Sequence, residues 1–448
     1  MAIYCHDPCG VAFCCCGPDW FMPCKHGVSK NASDAPGREA LRDNSSQPSP
    51  SPENEGPPVN LLLIPLLLCG SVFSGLIFVV LGPILPALAQ NFNDDGNGDI
   101  FAQWVMTVPA IGLVIGGLFG GWIFDRFGPK ILLPLLLTVY GLAGVSGIVI
   151  DSQALLLASR LIIGFCASVI ALGTTVLIAE AFDDVPRAKM LGYKNAIAAA
   201  TGIVGMLIAG QIAGAWGWRV AFLIYGVALL LVVPAVLGLR GHARSARSHR
   251  APKGGLRALL RVWPIYASTV LFGILVMAPL TQLPFLLREI DVTGAQTLSI
   301  ILGFTSVGSA VGAFLYGRIF QFFGGRGTIL FNLAIWATGM AILGTTQSAL
   351  QAGIGCLLAG IAGGIWVVHM ANLLMTKIEP LHRGRAMGLL YVALFTGDFL
   401  TPLALIPLAE IFGRHMVFLI LTIPCLLGLA GVATAMVRSR NTASLAGS

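Results

Sequence analysis

The chain has 448 residues, of which 56% are hydrophobic and only 10% are charged, and its mean hydropathy is +0.84. Soluble domains carry about 25% charged residues, so this composition excludes an ordinary soluble protein and indicates one embedded in a lipid bilayer. The sequence contains no G-x-x-x-x-G-K-S/T phosphate-binding loop. We therefore expect no ATP hydrolysis by that route and no cofactor, so any pumping must use an ion gradient.

The first part of the chain, residues 1–59, is expected to be a cytoplasmic tail, rich in cysteine at its start and in serine and proline later. Six of the ten cysteines lie within residues 1–24, near two histidines. This clustering leaves a metal site open, but no C-x-x-C pair is present, so we expect an unstructured tail without a metal. The role of these cysteines, and a true start at Met22, also stay open.

The rest of the chain is a series of apolar runs, each long enough for a membrane-spanning helix, which needs about 20 apolar residues. In chain order they predict twelve spans, numbered 1 to 12 below: 61–89, 100–124, 131–150, 154–179, 195–218, 220–239, 262–287, 292–317, two within 327–376, 386–409 and 416–437. The run 327–376 is too long for one crossing, and Thr345-Thr-Gln-Ser348 divides it into spans 9 and 10. The predicted fold class is an all-α integral membrane protein.

The basic residues predict how the spans are oriented. With the N-terminus in the cytoplasm, 23 of the 27 lysines and arginines lie on the inner side. The outer loops hold only Arg219, Arg288 and Arg414, and Arg160 lies inside span 4. This asymmetry follows the positive-inside rule, so both termini are predicted to be cytoplasmic in a cell membrane, the inner membrane in a bacterium. The net charge of +7 is then a topology signal, and no nucleic-acid partner is expected.

The two halves of the chain repeat the same motifs at an offset of 196 residues. The turn Gly121-Trp-Ile-Phe-Asp125-Arg126-Phe-Gly128-Pro-Lys130 returns as Gly317-Arg-Ile-Phe-Gln321-Phe-Phe-Gly324-Gly-Arg326. Other pairs at this offset are Pro83 and Pro279, Arg187 and Arg383, and Gly217 and Gly413. A duplicated basic turn between apolar helices predicts a membrane carrier of two six-helix bundles, 60–240 and 262–437. A basic cytoplasmic linker, 241–261, joins them, and a cytoplasmic tail, 438–448, follows.

Over residues 60–437 these features resemble the major facilitator superfamily. The turn from Gly121 to Lys130 matches its hallmark loop between helices 2 and 3. Leu156-x-x-x-Arg160-x-x-x-Gly164 matches the helix 4 motif of its drug/proton antiporter branch, and Trp216-Gly-Trp218-Arg219-x-x-Phe222 is similar to an outer turn. Two features depart from that branch, since span 5 lacks its Gly-Pro pair and span 1 has no acidic residue.

The resemblance implies alternating access between two pseudo-symmetric bundles, controlled by a gating loop at the inner side. Its predicted members are Gly121, Asp125, Arg126, Gly128, Lys130 and, in the second copy, Arg326. The alternative is a plain boundary turn whose charges only fix the topology.

Ionisable groups inside spans cost roughly 2.5–3.5 kcal/mol each on insertion scales, so each calls for a partner or a purpose. Asp398 in span 11 is the first candidate for proton coupling; the alternative is a structural carboxylate held by a cation or by neighbouring hydroxyls such as Thr396 and Thr401. For Arg160 the resemblance implies a role in proton transfer or in balancing a buried carboxylate, against a structural arginine bonded to backbone carbonyls. His369 in span 10 can exchange protons near neutral pH, or it is a satisfied polar contact.

The predicted substrate cavity is lined by few polar residues, namely Gln103, Thr107, Gln282 and Asn372, together with His369. So few polar groups favour an amphipathic solute over a sugar. The favoured function is proton-coupled efflux of a small amphipathic compound by a monomer in the lipid bilayer. One alternative is an importer of an organic anion or metabolite with Arg160 as counter-charge, and another is a non-transporting sensor or assembly factor. No enzyme is expected, since the spans hold no nucleophile–base pair or metal triad.

Overall fold

The computed structural model describes residues 63–93, 96–182, 184–239, 261–379 and 382–445. The predicted N-terminal tail, 1–59, lies outside these residues, as does the predicted linker 241–261 except for its last residue. Within the described residues every regular element is helical. We call the two ends of the helix bundle outer and inner, after the predicted orientation.

Spans 1 to 6 form the first half. Span 1 is interrupted and consists of Leu63–Cys69, Val72–Leu81, a 3-10 turn Gly82–Ile84, and Leu85–Asn91. Span 2 is Gly98–Phe127, span 3 is Pro129–Val145, span 4 is Gln153–Ala181 and span 5 is Asp184–Trp216. Span 6 begins with a long 3-10 helix, Trp218–Gly226, and continues as Val227–Leu230 and Val232–Gly238.

Spans 7 to 12 form the second half. Span 7 is Trp263–Glu289, and one 50-residue helix, Ala295–Gly344, contains spans 8 and 9. Span 10 is Ala349–Lys377, span 11 is Arg383–Phe412 and span 12 is Arg414–Leu445. Span 12 therefore continues as helix into the predicted tail 438–448. Spans 9 and 10 are separated between Gly344 and Ala349, where the sequence predicts the division.

Eleven of the described helices are long and apolar enough to cross a membrane. One of these is the helix Ala295–Gly344, which leaves helical geometry at Gly324, with φ 68° and ψ 178°. Gly324 thus divides this helix into the predicted spans 8 and 9. The chain is a multi-pass all-α membrane protein, as its composition predicts.

The 196-residue repeat appears in the backbone itself. Gly128 (φ 74°, ψ 160°) matches Gly324, and Gly217 (φ 91°, ψ 156°) matches Gly413 (φ 81°, ψ 158°), all four with positive φ and extended ψ. Positive φ costs a glycine little, so each pair fixes the same tight connection in both halves.

Helix packing follows the same repeat. A Cβ at Gly112 in span 2 would collide with the backbone carbonyl of Leu161 in span 4. At the matching positions of the second half, a Cβ at Gly308 in span 8 would collide with the carbonyl of Leu357 in span 10. Small residues allow such close backbone contact between membrane helices. Each half therefore contains the same tightly packed helix pair.

We predict that Gly308→Ala destabilises the protein by about 1–3 kcal/mol, because backbone atoms cannot move aside for the added methyl group. Gly303→Ala in the same helix is the matched control, since a Cβ there has no neighbour within 4 Å. Thermal unfolding followed by tryptophan fluorescence should show a lower Tm for Gly308→Ala alone. Equal Tm values for both variants would contradict this packing.

Candidate functional site

A cavity of about 290 Å³ lies between span 1 and spans 7, 8, 10 and 11. Most of its wall is apolar, with large side chains from three spans: Phe78, Phe272, Leu275, Val276, Leu394 and Phe395. Its polar lining consists of Ser74, Thr305, Ser309 and Asp398. Of the described lining residues, Asp398 is the one that can carry a charge.

Asp398 is held at the cavity by close contact between spans 7 and 11. A Cβ at the preceding Gly397 would collide with the carbonyl of Val270 in span 7, so glycine lets the two backbones approach. The Asp398 side chain is only 3% exposed, and its Oδ1 has no hydrogen-bond partner among the described residues. A buried carboxylate without a partner is costly, which makes Asp398 the candidate for a functional group at this cavity.

The hydroxyl groups near Asp398 in sequence do not bond to its carboxylate. Thr396 donates to the carbonyl of Val392 at 2.7 Å, and Thr401 donates to that of Gly397 at 3.0 Å. Both hydroxyls therefore satisfy their own helix. The contacts do not support the alternative of a structural carboxylate held by these threonines.

Three of the predicted cavity residues lie elsewhere, in a seam between the halves on the outer side of the cavity. Gln282 Nε2 in span 7 donates to Gln103 Oε1 in span 2 at 2.9 Å. The hydroxyl of Thr107 donates to the carbonyl of Gln103 at 2.9 Å. All three side chains are buried. They join the halves and do not line the 290 Å³ cavity.

A charged cluster closes the same seam at its outer end. Asp99 in span 2 accepts from Arg288 of span 7 at 2.7 and 3.0 Å, and from Arg414 of span 12 at 2.6 Å. Arg414 also pairs with Glu289 at 2.6 Å. Nearer the cavity, the rings of Trp104 in span 2 and Phe399 in span 11 lie 5.7 Å apart. These contacts close the outer side of the cavity.

Sequence reasoning missed this cluster, although the signal was present. The third outer arginine, Arg219, pairs with Asp151. All three outer exceptions to the positive-inside rule are thus neutralised by outer carboxylates. Basic residues placed against that rule call for such partners.

Arg160 lies inside the first bundle, fully buried. Its Nη2 donates to the carbonyls of Ala143 and Gly144, both at 3.2 Å. The guanidinium lies over the rings of Phe222 and Tyr225, at 4.8 and 5.2 Å from their centroids. No carboxylate pairs with it in the described part of the chain. These contacts favour the structural alternative, and a role in proton coupling stays a prediction.

His369 and Asn372 contact one hydroxyl, that of Tyr316 in span 8. His369 Nδ1 lies 3.3 Å from it, and Asn372 Nδ2 donates to it at 3.1 Å. Since the hydroxyl accepts from Asn372, its own hydrogen is available to His369 Nδ1. The cluster joins spans 8 and 10 toward the inner end, outside the cavity lining. Roles for His369 in proton coupling and for Asn372 in substrate binding stay predictions.

The predicted gating loop lies at the inner end, where Gly128 turns the chain from span 2 into span 3. The Gly128 N–H caps span 2 by donating to the carbonyl of Phe124 at 2.9 Å. Arg126, Lys130 and Arg326 are exposed, whereas the side chain of Asp125 lies outside the described atoms. Gly121 is half-buried in span 2. The gating role of the loop stays a prediction.

Comparison with known proteins decides the family. The sequence profile of the Major Facilitator Superfamily matches residues 67–402. The chain belongs to this superfamily. The resemblance found in the sequence is therefore confirmed, and the fold is that of a transporter.

Individual proteins that resemble this superfamily member share a low percentage of identical residues with it. Multidrug resistance protein 1 of Bacillus subtilis (strain 168) is 26% identical over 277 residues, covering 60% of this chain and 70% of that protein. Puromycin resistance protein pur8 of Streptomyces alboniger is 30% identical over 168 residues, covering 37% of this chain and 32% of that protein. The crystal structure of a D-xylose-proton symporter aligns with a TM-score of 0.67 at 18% identity, covering 83% of this chain and 96% of that chain. The last comparison shows a shared fold.

The sequence analysis also did not predict that Lys194 of this major facilitator protein is buried. Its side chain is only 2% exposed, although Lys194 counts among the 23 basic residues that the sequence predicts on the inner side. Its Nζ donates to the carbonyl of Ala171 at 2.8 Å and to the hydroxyls of Thr174 and Thr175 at 2.9 and 2.7 Å. Lys194 thus joins spans 4 and 5. Its position directly before the charge-free run 195–218 concealed this burial.

We predict that Arg160→Gln destabilises this superfamily member by about 2 kcal/mol or more, because a buried charged donor to two carbonyls is lost. Arg219→Gln, which breaks a partly exposed pair, should cost less than about 1 kcal/mol. Unfolding of both variants in the same detergent tests the comparison. A stable Arg160→Gln variant with altered proton coupling would instead support the role implied by the antiporter motif.

Proposed function

We propose that this transporter exports small amphipathic compounds in exchange for protons by alternating access. The observation that carries the proposal is the unpartnered carboxylate of Asp398 in an otherwise largely apolar cavity. Apolar walls bind the hydrophobic part of a solute through burial of its surface. Few polar groups are available for the many hydrogen bonds that a sugar needs.

The carboxylate gives the exchange a physical basis. In a low-dielectric site the charged form of Asp398 requires a compensating positive group. A proton removes the charge, and a basic group on a bound compound balances it. The two ligands therefore compete for one site, which is the minimum requirement for exchange. Among amphipathic compounds, those with a single basic group fit the cavity best.

The relatives add support from their names. Two of them are called multidrug and puromycin resistance proteins, which favours export of organic compounds. The protein with a similar fold is described as a D-xylose-proton symporter, which favours a proton gradient as the energy source. We extend both properties to this chain by proposal.

The closed outer seam supports alternating access, because it leaves the outer end of the cavity shut. With the outer end held by Asp99, Gln103 and their partners, loading of the cavity takes place from the inner side or from the bilayer. We assign the inner gate to Asp125, Arg126, Lys130 and Arg326. The protein works in a cell membrane as a monomer, with both termini in the cytoplasm.

Import of an organic anion is the second candidate. It was based on Arg160 as a counter-charge, but that guanidinium contacts carbonyls and rings inside the first bundle. Asp398 at the cavity would repel an anion. Export of amphipathic bases is therefore the stronger proposal.

The test is accumulation of labelled amphipathic amines, neutral compounds and organic anions in cells that express the full chain. We expect wild type to lower accumulation of the amines, and a protonophore to abolish that effect. Asp398→Asn should reduce efflux by at least about tenfold, because it cannot exchange a proton. Glu410→Gln, an exposed carboxylate in the same span, is the matched control and should export normally.

Other outcomes decide between the alternatives. Raised accumulation of anions or metabolites with wild type would replace export by import. Unchanged accumulation of every compound would support a non-transporting sensor. Export that continues in Asp398→Asn with its sensitivity to the protonophore would remove Asp398 from the coupling.

A further inference from the structure

We propose that Asp99 is the centre of an ionic latch that holds the outer ends of the two halves together and must release before the cavity opens outward. The outer latch consists of Asp99, Arg288, Glu289 and Arg414, with Gln103 and Gln282 one turn deeper. The inference rests on alternating access as proposed above, and it adds the residues that control the outer side.

One carboxylate connects three spans in this latch. Asp99 lies in the first turn of span 2, in the first half. Arg288 ends span 7 and Arg414 begins span 12, both in the second half, and each donates to Asp99 at 2.6–3.0 Å. The negative N-terminal residue of span 2 also suits the positive end of that helix. Asp99 is therefore the bridge across the seam, with its partners all on the other side.

The surroundings make this cluster stronger than an ordinary surface ion pair. The side chains of Asp99 and Arg414 are 29% and 18% exposed, so solvent screens them only in part. Both guanidiniums lie over the buried ring of Phe285, at 5.5 and 5.2 Å from its centroid for Arg288 and Arg414. The two arginines are thus held close together, and Asp99 compensates their mutual repulsion.

This arrangement explains how one group can control the seam. Without the charge of Asp99, two positive groups remain side by side with Glu289 as their one described acidic neighbour. Like charges at such distances repel. Loss of one carboxylate therefore turns attraction across the seam into repulsion within the second half.

The glutamine pair forms the inner layer of the latch. Asp99 and Gln103 lie one turn apart on the same face of span 2, as i and i+4 residues do. Gln103 bonds to Gln282, whose Oε1 has no partner among the described residues. Water that enters an opened seam can satisfy both amides. The inner layer therefore allows opening once the charged layer has separated.

The first half supplies a matched ion pair that does not cross the seam. Arg219 donates to Asp151 and to the carbonyl of Ile148, and all three residues belong to the first half. This pair lies at the same outer level as the latch. Its removal should leave the relation between the halves unchanged.

The experiment measures distances between spin labels in the full chain, reconstituted in lipid nanodiscs with the native cysteines replaced. One label pair at Asn91 and Thr293 reports the outer side, and one at Ala179 and Thr376 reports the inner side. All four positions are exposed. Double electron–electron resonance spectroscopy gives the distribution of distances between the two labels for wild type, Asp99→Asn, Asp99→Glu and Asp151→Asn.

In wild type we expect a short outer distance to predominate. Asp99→Asn should raise the ratio of long to short outer distances by about tenfold, within the range usual for coupling between sites, and shorten the inner distance. Asp99→Glu keeps the charge and should retain most of the short distance. Asp151→Asn should match wild type.

An outer distance in Asp99→Asn equal to that of wild type would overturn the latch, as would an equal shift in Asp151→Asn. If Asp99→Asn does not fold, Arg288→Gln and Arg414→Gln each break one bridge and must lengthen the outer distance. The readout needs neither substrate nor proton gradient. Failure of export with a responsive outer distance would therefore reject the proposed function and leave the latch intact.

Discussion

The cost of an uncompensated charge in a membrane interior determines where the ionisable side chains of this transporter lie. Arg160 and Lys194 are buried, yet backbone carbonyls accept from both of them, and threonine hydroxyls accept from Lys194 as well. Asp398 is buried with a free oxygen and faces a cavity. The same constraint favours a structural role for the first two and makes the third the position at which we propose that a proton or a basic ligand binds.

Comparing residues 196 positions apart shows which features of the two halves repeat and which do not. The turns and helix contacts repeat. Turns at Gly128 and Gly324, and helix contacts at Gly112 and Gly308, occur in both halves. Even a contact between the outer ends of the spans repeats: Arg219 donates to the carbonyl of Ile148, and His415 lies 3.1 Å from that of Gly344. These shared features build two similar bundles.

The charged residues inside the bundles do not repeat. The positions that match Arg160, Lys194 and Asp398 in the other half hold Cys356, Leu390 and Gly202. Two similar bundles therefore carry different internal charges: the basic residues lie in the first half and the carboxylate in the second. The symmetry suits the movement of two similar bodies, and the asymmetry places the carboxylate of the proposed binding site in one half alone.

The sequence predicts the spans well because hydrophobic length and glycine turns are local properties. It predicts the side-chain site less well, because the rotation of each helix depends on its neighbours. Gln103, Thr107 and Gln282 are predicted to line the cavity, but they are buried in the seam between spans 2 and 7. Lys194 shows the same limit, since only the packing of span 5 on span 4 reveals its burial. Asp398 stands out in the sequence because any carboxylate in the middle of a span is exceptional, whatever its rotation, and its role stays a proposal.

Span 7 connects the cavity with the outer seam. Its residues Phe272 and Leu275 line the cavity, while Gln282 and Arg288 belong to the outer latch. Two prolines lie inside this helix: Pro279 between Leu275 and Gln282, and Pro284 between Gln282 and Arg288. Proline has no N–H to donate, so the helix lacks two hydrogen bonds in this stretch and bends there more easily. A solute bound in the cavity would therefore act on the same helix that holds the latch, and the two prolines make this helix easier to bend, one at the cavity wall and one within the latch.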